Sequence, residues 1–129
     1  MPPSLKFCQL RGFYAIVRLP PHAPVPAWAT QGDFTSITRT ADELSLVCAA
    51  NNIPRDVEPG PRWVCLKLEG PFAFSQTGIL VSFIAPLSNR GIPIFATSTY
   101  DTDYVLVQEE FAGVTLETLG KAGHELLGY

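Results

Sequence analysis

Between Ser75 and Arg90 the apolar residues Ile79, Leu80, Phe83, Ile84 and Leu87 recur at the i, i+4, i+8 spacing of one helix face. On either side they fall instead in short runs rich in β-branched and aromatic residues. This change of period constrains the fold more than any other feature of the chain. The run Trp63–Glu69 (WVCLKLE) reads as a strand closed by Gly70-Pro71. After the helix come strands at Pro93–Ser98 and Tyr104–Gln108, a second helix from Glu109 to Lys121 that ends at Gly123, and a last strand over His124–Leu127. The order β-α-β-β-α-β predicts a ferredoxin-like α+β unit, with an antiparallel sheet and its helices on one face. Ser75 is placed to cap the first helix, and Gly91 stands where a left-handed C-terminal cap belongs. Pro86 conflicts with the pattern, because a proline inside a helix removes a backbone hydrogen bond and costs ~3 kcal/mol.

The first half carries the strands of a similar unit without its helices. Leu5–Leu10, Phe13–Leu19, Phe34–Arg39 and Leu44–Ala49 read as strands, with Thr40–Glu43 as a turn. Pro20–Pro26 (PPHAPVP) admits neither a regular helix nor a central strand, which leaves room only for a helical turn near Pro26–Thr30. The segment Asn51–Pro61, with Pro54, Pro59, Gly60 and Pro61, reads as a linker. Two units follow, 1–60 and 61–129, the first degenerate.

Hydrophobic residues at 47% against 16% charged predict a folded chain with a core. A net charge of -3, with the basic residues scattered, argues against nucleic-acid binding. No segment is long and apolar enough to span a membrane, and the N-terminus lacks a signal-peptide pattern. Cys8, Cys48 and Cys65 lie apart in apolar runs and read as buried thiols in a reducing, cytoplasmic setting. His22 and His124 have no partner visible in the sequence, so each is assigned a surface or structural role.

The segment Ser98–Tyr104 (STYDTDY) concentrates two carboxylates, two phenols and three hydroxyls between two apolar runs. A metal would need more ligands than its two aspartates supply, and no calcium-loop pattern is present, so no metal and no cofactor are expected. An enzyme using Asp101 and Asp103 as an acid–base pair would bury both beside an open cleft. A third reading is a hairpin whose Asp and Thr side chains bond their own backbone. A fourth pairs the turn with the opening of the first helix. There the unpaired N–H groups and the dipole favour a carboxylate, and Gly78 lets a ligand approach the backbone. The helix end and an acidic turn are complementary poles for a zwitterion.

Three blocks resemble a known family: E-G-P-x-x-F-S-x-x-G-I-L (Glu69–Leu80) followed by A-P-L (Ala85–Leu87), G-I-P-I-F-A-T-S-T-Y-D-T-D-Y-V-L-V (Gly91–Val107), and S-I-T-R-T-x-D-E-L-S-L-V (Ser36–Val47). Together they are similar to the small bacterial tandem-ACT proteins related to the CASTOR-type arginine sensors. The resemblance implies a degenerate ACT-like unit over 1–60 and an ACT domain over 61–129. It implies a cytoplasmic, non-enzymatic regulatory module that binds a small ligand, an amino acid, between ACT units or subunits, with a homodimer supplying a four-unit assembly. The implied ligand positions are Gln76, Thr77, Gly78 and Ile79 at the helix opening, Pro93 and Ile94 before the strand, and Thr99, Tyr100 and Asp103 in the turn. An acidic position of the arginine sensors is Gln76 here, which argues against a cationic ligand. The same turn also serves protein contacts in that family, so an interaction module without a ligand is the alternative.

Overall fold

The computed structural model describes residues 4–72 and 78–128. Along the chain the strands are β1 (Lys6–Gln9), β2 (Tyr14–Leu19), β3 (Ser36–Arg39), β4 (Leu44–Ala49), β5 (Trp63–Leu68), β6 (Phe95–Ser98), β7 (Asp103–Gln108) and β8 (Glu125–Leu126). The helices are α1 (Ile79–Asn89) and α2 (Ala112–Lys121). The chain is α+β, with a ferredoxin-like plan, and it folds as two compact units.

One unit, Gly12–Trp63, holds β2, β3 and β4 in the order β3-β4-β2. Strand β4 pairs antiparallel with β2 from Tyr14↔Ala49 to Leu19↔Leu44, and with β3 from Ser36↔Val47 to Arg39↔Leu44. The hairpin turn is held by the Thr40 N–H, which donates to the Glu43 carbonyl at 2.9 Å, and by Thr40 Oγ1, which accepts from the Asp42 and Glu43 N–H groups. Each helix of the full plan is reduced to a three-residue 3₁₀ turn, Ala27–Ala29 and Ala50–Asn52. The first lies inside the proline-rich stretch, where missing N–H groups prevent a longer helix. Ala15, Val17, Leu44 and Leu46, at alternating positions on β2 and β4, close with Ala29 into a core. Trp28, Ile53 and Val57 pack against it from the loops, partly replacing the absent helices. Arg39 donates to the Pro21 carbonyl, and Arg18 donates to the Asp42 carbonyl at 2.9 Å.

The other unit, Met1–Arg11 with Val64–Tyr129, has the strand order β6-β7-β5-β1-β8. Strand β1, placed by sequence within residues 1–60, pairs here: antiparallel to β5 (Phe7↔Leu68) and parallel to β8 (Phe7↔Leu126). The physical reason is Phe7, 1% exposed, whose ring meets Phe83 of α1 edge-on at 5.1 Å. Phe83 and Leu87 are the fully buried positions of the α1 stripe, and Leu119 is their counterpart on α2. Both helices end alike. At Gly91 and Gly123 the backbone turns left-handed, and the next N–H reaches back to Leu87 and Leu119 respectively, each at 3.0 Å. Helix α1 begins at Ile79, with Gly78 as its N-cap; the Ser75 cap lies outside the described residues. The second helix begins later than expected, since Glu109–Phe111 form a 3₁₀ turn ahead of α2.

Pro86 stays inside α1. Its missing N–H would have bonded the Ser82 carbonyl, one turn back. His124 fills that place: Nε2 lies 2.9 Å from the Ser82 oxygen. The tautomer follows from the other ring nitrogen, which accepts the Leu5 N–H at 3.1 Å and so carries no proton. His124, just beyond α2, thus completes the hydrogen bonding of α1 and anchors the chain entering β1.

Burial pushes the Cys65 thiol up to about 12, with Cys8 on the neighbouring strand adding to the effect. The unfolded chain would release this proton near 9.0. The folded state therefore keeps a proton that the unfolded state loses, and stability is intact below that pH and falls as pH rises toward about 12. Denaturant midpoints measured between about pH 8 and pH 11 should decline, and a Cys65→Val variant should decline less steeply.

Candidate functional site

The turn between β6 and β7 is fastened from three sides. The Thr99 N–H donates to the Thr102 carbonyl at 2.8 Å, and Thr99 Oγ1 accepts the Thr102 N–H. Ser98 Oγ donates to Asp103 Oδ1. Buried Thr102 donates through Oγ1 to the Leu68 carbonyl at the end of β5, 2.8 Å away. The Phe72 N–H donates to the Asp101 carbonyl at 2.9 Å. Gly70 makes this close approach possible, because a Cβ there would lie 3.0 Å from the Asp101 carbonyl oxygen. The hairpin with local side-chain bonds is therefore present.

Opposite the turn stands the opening of α1. Gly78 is left-handed, with φ 77°, a conformation that costs glycine little. Among the described residues, nothing lies within 4 Å of where its Cβ would be, and none of their strands packs against it. The Ser82 N–H closes the first turn onto the Gly78 carbonyl at 3.0 Å. Among the described residues, the N–H groups of Ile79, Leu80 and Val81 have no partner within the helix, at the end where the dipole is positive.

A cleft of about 270 Å³ lies between these elements, lined by Phe72, by Gly78–Val81 and by Ser98–Asp103. Five of the residues singled out by sequence meet there: Gly78, Ile79, Thr99, Tyr100 and Asp103. Pro93 and Ile94 lie outside its lining, on the approach to β6, with Pro93 exposed and Ile94 half-buried. Gln76 and Thr77 fall outside the described residues. Sequence reading missed Val81, 63% exposed at the cleft, although an apolar residue off the buried stripe of an amphipathic helix is a readable signal. It also missed Phe72, which nothing in its local pattern marks. Asp101 is exposed and Asp103 is half-buried against Ser98, so the two carboxylates do not form a buried acid–base pair. Among the described residues, no three His, Cys, Asp or Glu side chains gather as a metal site would require. No helix among them is long and apolar enough to cross a membrane.

A family model for the ACT domain matches residues 58–121, and a second model, of an N-terminal domain, matches residues 12–56. The chain is 28% identical over 100 residues to the cytosolic arginine sensor for mTORC1 subunit 1 of Bos taurus. That match covers 68% of this chain and 30% of the sensor, so the chain spans under a third of the relative's length. The crystal structure of Atu0741 from Agrobacterium tumefaciens is 50% identical, with 98% of this chain and 95% of that one covered and a TM-score of 0.92. VC0802 of Vibrio cholerae, described as a possible transport protein, shares the fold at 19% identity and a TM-score of 0.76, over 92% of this chain and 89% of that one. The aspartokinase α and β subunits share it at 15% identity and a TM-score of 0.62, over 93% and 98%.

Proposed function

We propose, from the premise that this chain belongs to the ACT-domain family and to its CASTOR-like members, that it is a non-enzymatic regulatory module whose ligand is an amino acid. The observation that carries this reading is the cleft joining the α1 opening to the Ser98–Asp103 turn. Backbone N–H groups at a helix N-terminus suit a carboxylate. Asp101 and Asp103 suit an ammonium group, and Gly78 leaves the backbone approachable. A second ACT unit or subunit would close over the ligand, so the proposed assembly is a homodimer acting in the cytoplasm. Ligand binding would shift association only through contacts that differ between the two arrangements.

Calorimetric titration of the intact chain with each standard amino acid tests the reading. At least one should bind at millimolar or lower concentration. Asp103→Asn, which keeps an acceptor for Ser98 but removes the charge, should weaken that binding by about tenfold, or ~1.4 kcal/mol. Absence of heat with every amino acid removes the proposal.

A second reading, a protein-contact surface without a ligand, draws on Tyr100 and Val81, which are 81% and 63% exposed on the cleft lining. A purified protein partner whose binding is lost in Tyr100→Ala with Asp103→Ala, and is indifferent to amino acids, would favour it over the first.

A further inference from the structure

The unit Gly12–Trp63 has a second opening, along the edge of β2. The Ala50 N–H donates to the Phe13 carbonyl, which sets the phase of the β2–β4 ladder. Backbone groups alternate in direction along an antiparallel strand. Ala15, Val17 and Leu19 therefore face β4, while Tyr14, Ile16 and Arg18 point their N–H and C=O groups the other way. On that side, among the described residues, Tyr14 alone is paired along the strand, with Trp63. Continuing the same register would set Pro61 opposite Ile16 and Pro59 opposite Arg18. Neither proline has an N–H to donate, so the chain's own linker cannot extend the ladder. Among the described residues, the strand pairing on this side stops at Tyr14, and no loop or turn backbone bond reaches Ile16 or Arg18.

The linker instead stands off and walls a cleft of about 490 Å³, with Ile16–Leu19 on one side and Asp56, Val57, Glu58 and Gly60 on the other. Half-buried Ile16, Leu19 and Val57 make parts of its lining apolar. Its charge is uneven: the lining holds two carboxylates, Asp56 and Glu58, and one cation, Arg18, whose guanidinium donates to the Asp42 carbonyl. Glu58 also accepts the Gly60 N–H at 3.1 Å, which holds that carboxylate along the wall.

We propose that this edge accepts an extended peptide segment bearing a basic side chain, added to β2 as a further strand. Backbone bonds to Ile16 and Arg18 would supply affinity, and the acidic wall would select the side chain. An open edge is ordinarily blunted against pairing. Here the two prolines keep the chain itself out while leaving the β2 groups available.

The test uses the intact chain and a fluorescein-labelled, end-capped hexapeptide alternating valine and lysine, followed by fluorescence anisotropy and amide hydrogen exchange. Binding should slow exchange at Ile16 and Arg18. N-methylating alternate peptide amides should weaken binding by about tenfold or more, because it removes donors from one peptide edge. A valine–glutamate peptide should also bind more weakly, and Asp56→Asn with Glu58→Gln should narrow that preference. No binding, or binding that leaves the two amides unprotected or ignores N-methylation, overturns the proposal. Protection of Ile16 and Arg18 that grows with protein concentration alone also overturns it, in favour of pairing with a second copy.

Discussion

His124→Ala is expected to lower the stability of the protein by about 3 kcal/mol, a large share of what a domain of this size possesses. The substitution removes a buried ring, 6% exposed, that packs against Phe83 at 5.4 Å. It also strands two backbone groups that have no substitute. The Leu5 N–H loses Nδ1, and the Ser82 carbonyl loses Nε2–H. The Ser82 carbonyl would have a partner inside α1 were residue 86 not proline. Pro86→Ala in the His124→Ala background should therefore recover about 1 kcal/mol, by restoring an N–H for the Ser82 oxygen. In the wild-type background the same Pro86→Ala change should yield less, because His124 already occupies that oxygen. Urea denaturation of the four proteins forms a double-mutant cycle. Equal effects of Pro86→Ala in both backgrounds would show that the histidine does not replace the missing helix bond.

Phe83→Ala should cost about 4 kcal/mol, within the range for deleting a fully buried aromatic side chain. Phe83 is 0% exposed and lies against both Phe7 and His124, so its loss opens a cavity where β1, α1 and the end of α2 meet. Phe83→Leu should lose considerably less, since most of the volume is kept. The consequence reaches the candidate site, because the same helix presents Gly78–Val81 to the cleft. A destabilisation below about 1 kcal/mol in chemical denaturation would mean that the cluster is not a main anchor of α1.

Much of the architecture was legible because its signals are local. Leu44–Ala49 is a short apolar run, with Leu44, Leu46, Val47 and Cys48 buried, and is read directly as β4, and the proline-rich stretch before β3 rules out a long helix. Gly91 and Gly123 mark helix ends because left-handed caps require residues of that kind. The strand Lys6–Gln9 was legible as a strand but not as a neighbour of β5 and β8. Its four residues do not encode which sheet they join, and that choice depends on Phe7 meeting Phe83, 76 positions away in the chain. At the candidate site, Gly78 and the polar turn stood out by composition. That the two share a cleft, and that Pro93 and Ile94 do not line it, is decided by the fold, in which Gly70 also allows the close approach to Asp101.

The sequence alone thus determined the order of elements, the degenerate first unit and the polar groups available for recognition, since periodicity, turn residues and side-chain chemistry are local properties. Tertiary structure decided which of those groups meet. Pro86 shows the difference most plainly. By sequence it is a fault in a helix, because its effect on the backbone is local and unfavourable. In the fold it leaves one carbonyl free, and His124, 38 residues later, supplies the missing hydrogen. Only packing α2 beside α1 brings that donor within reach.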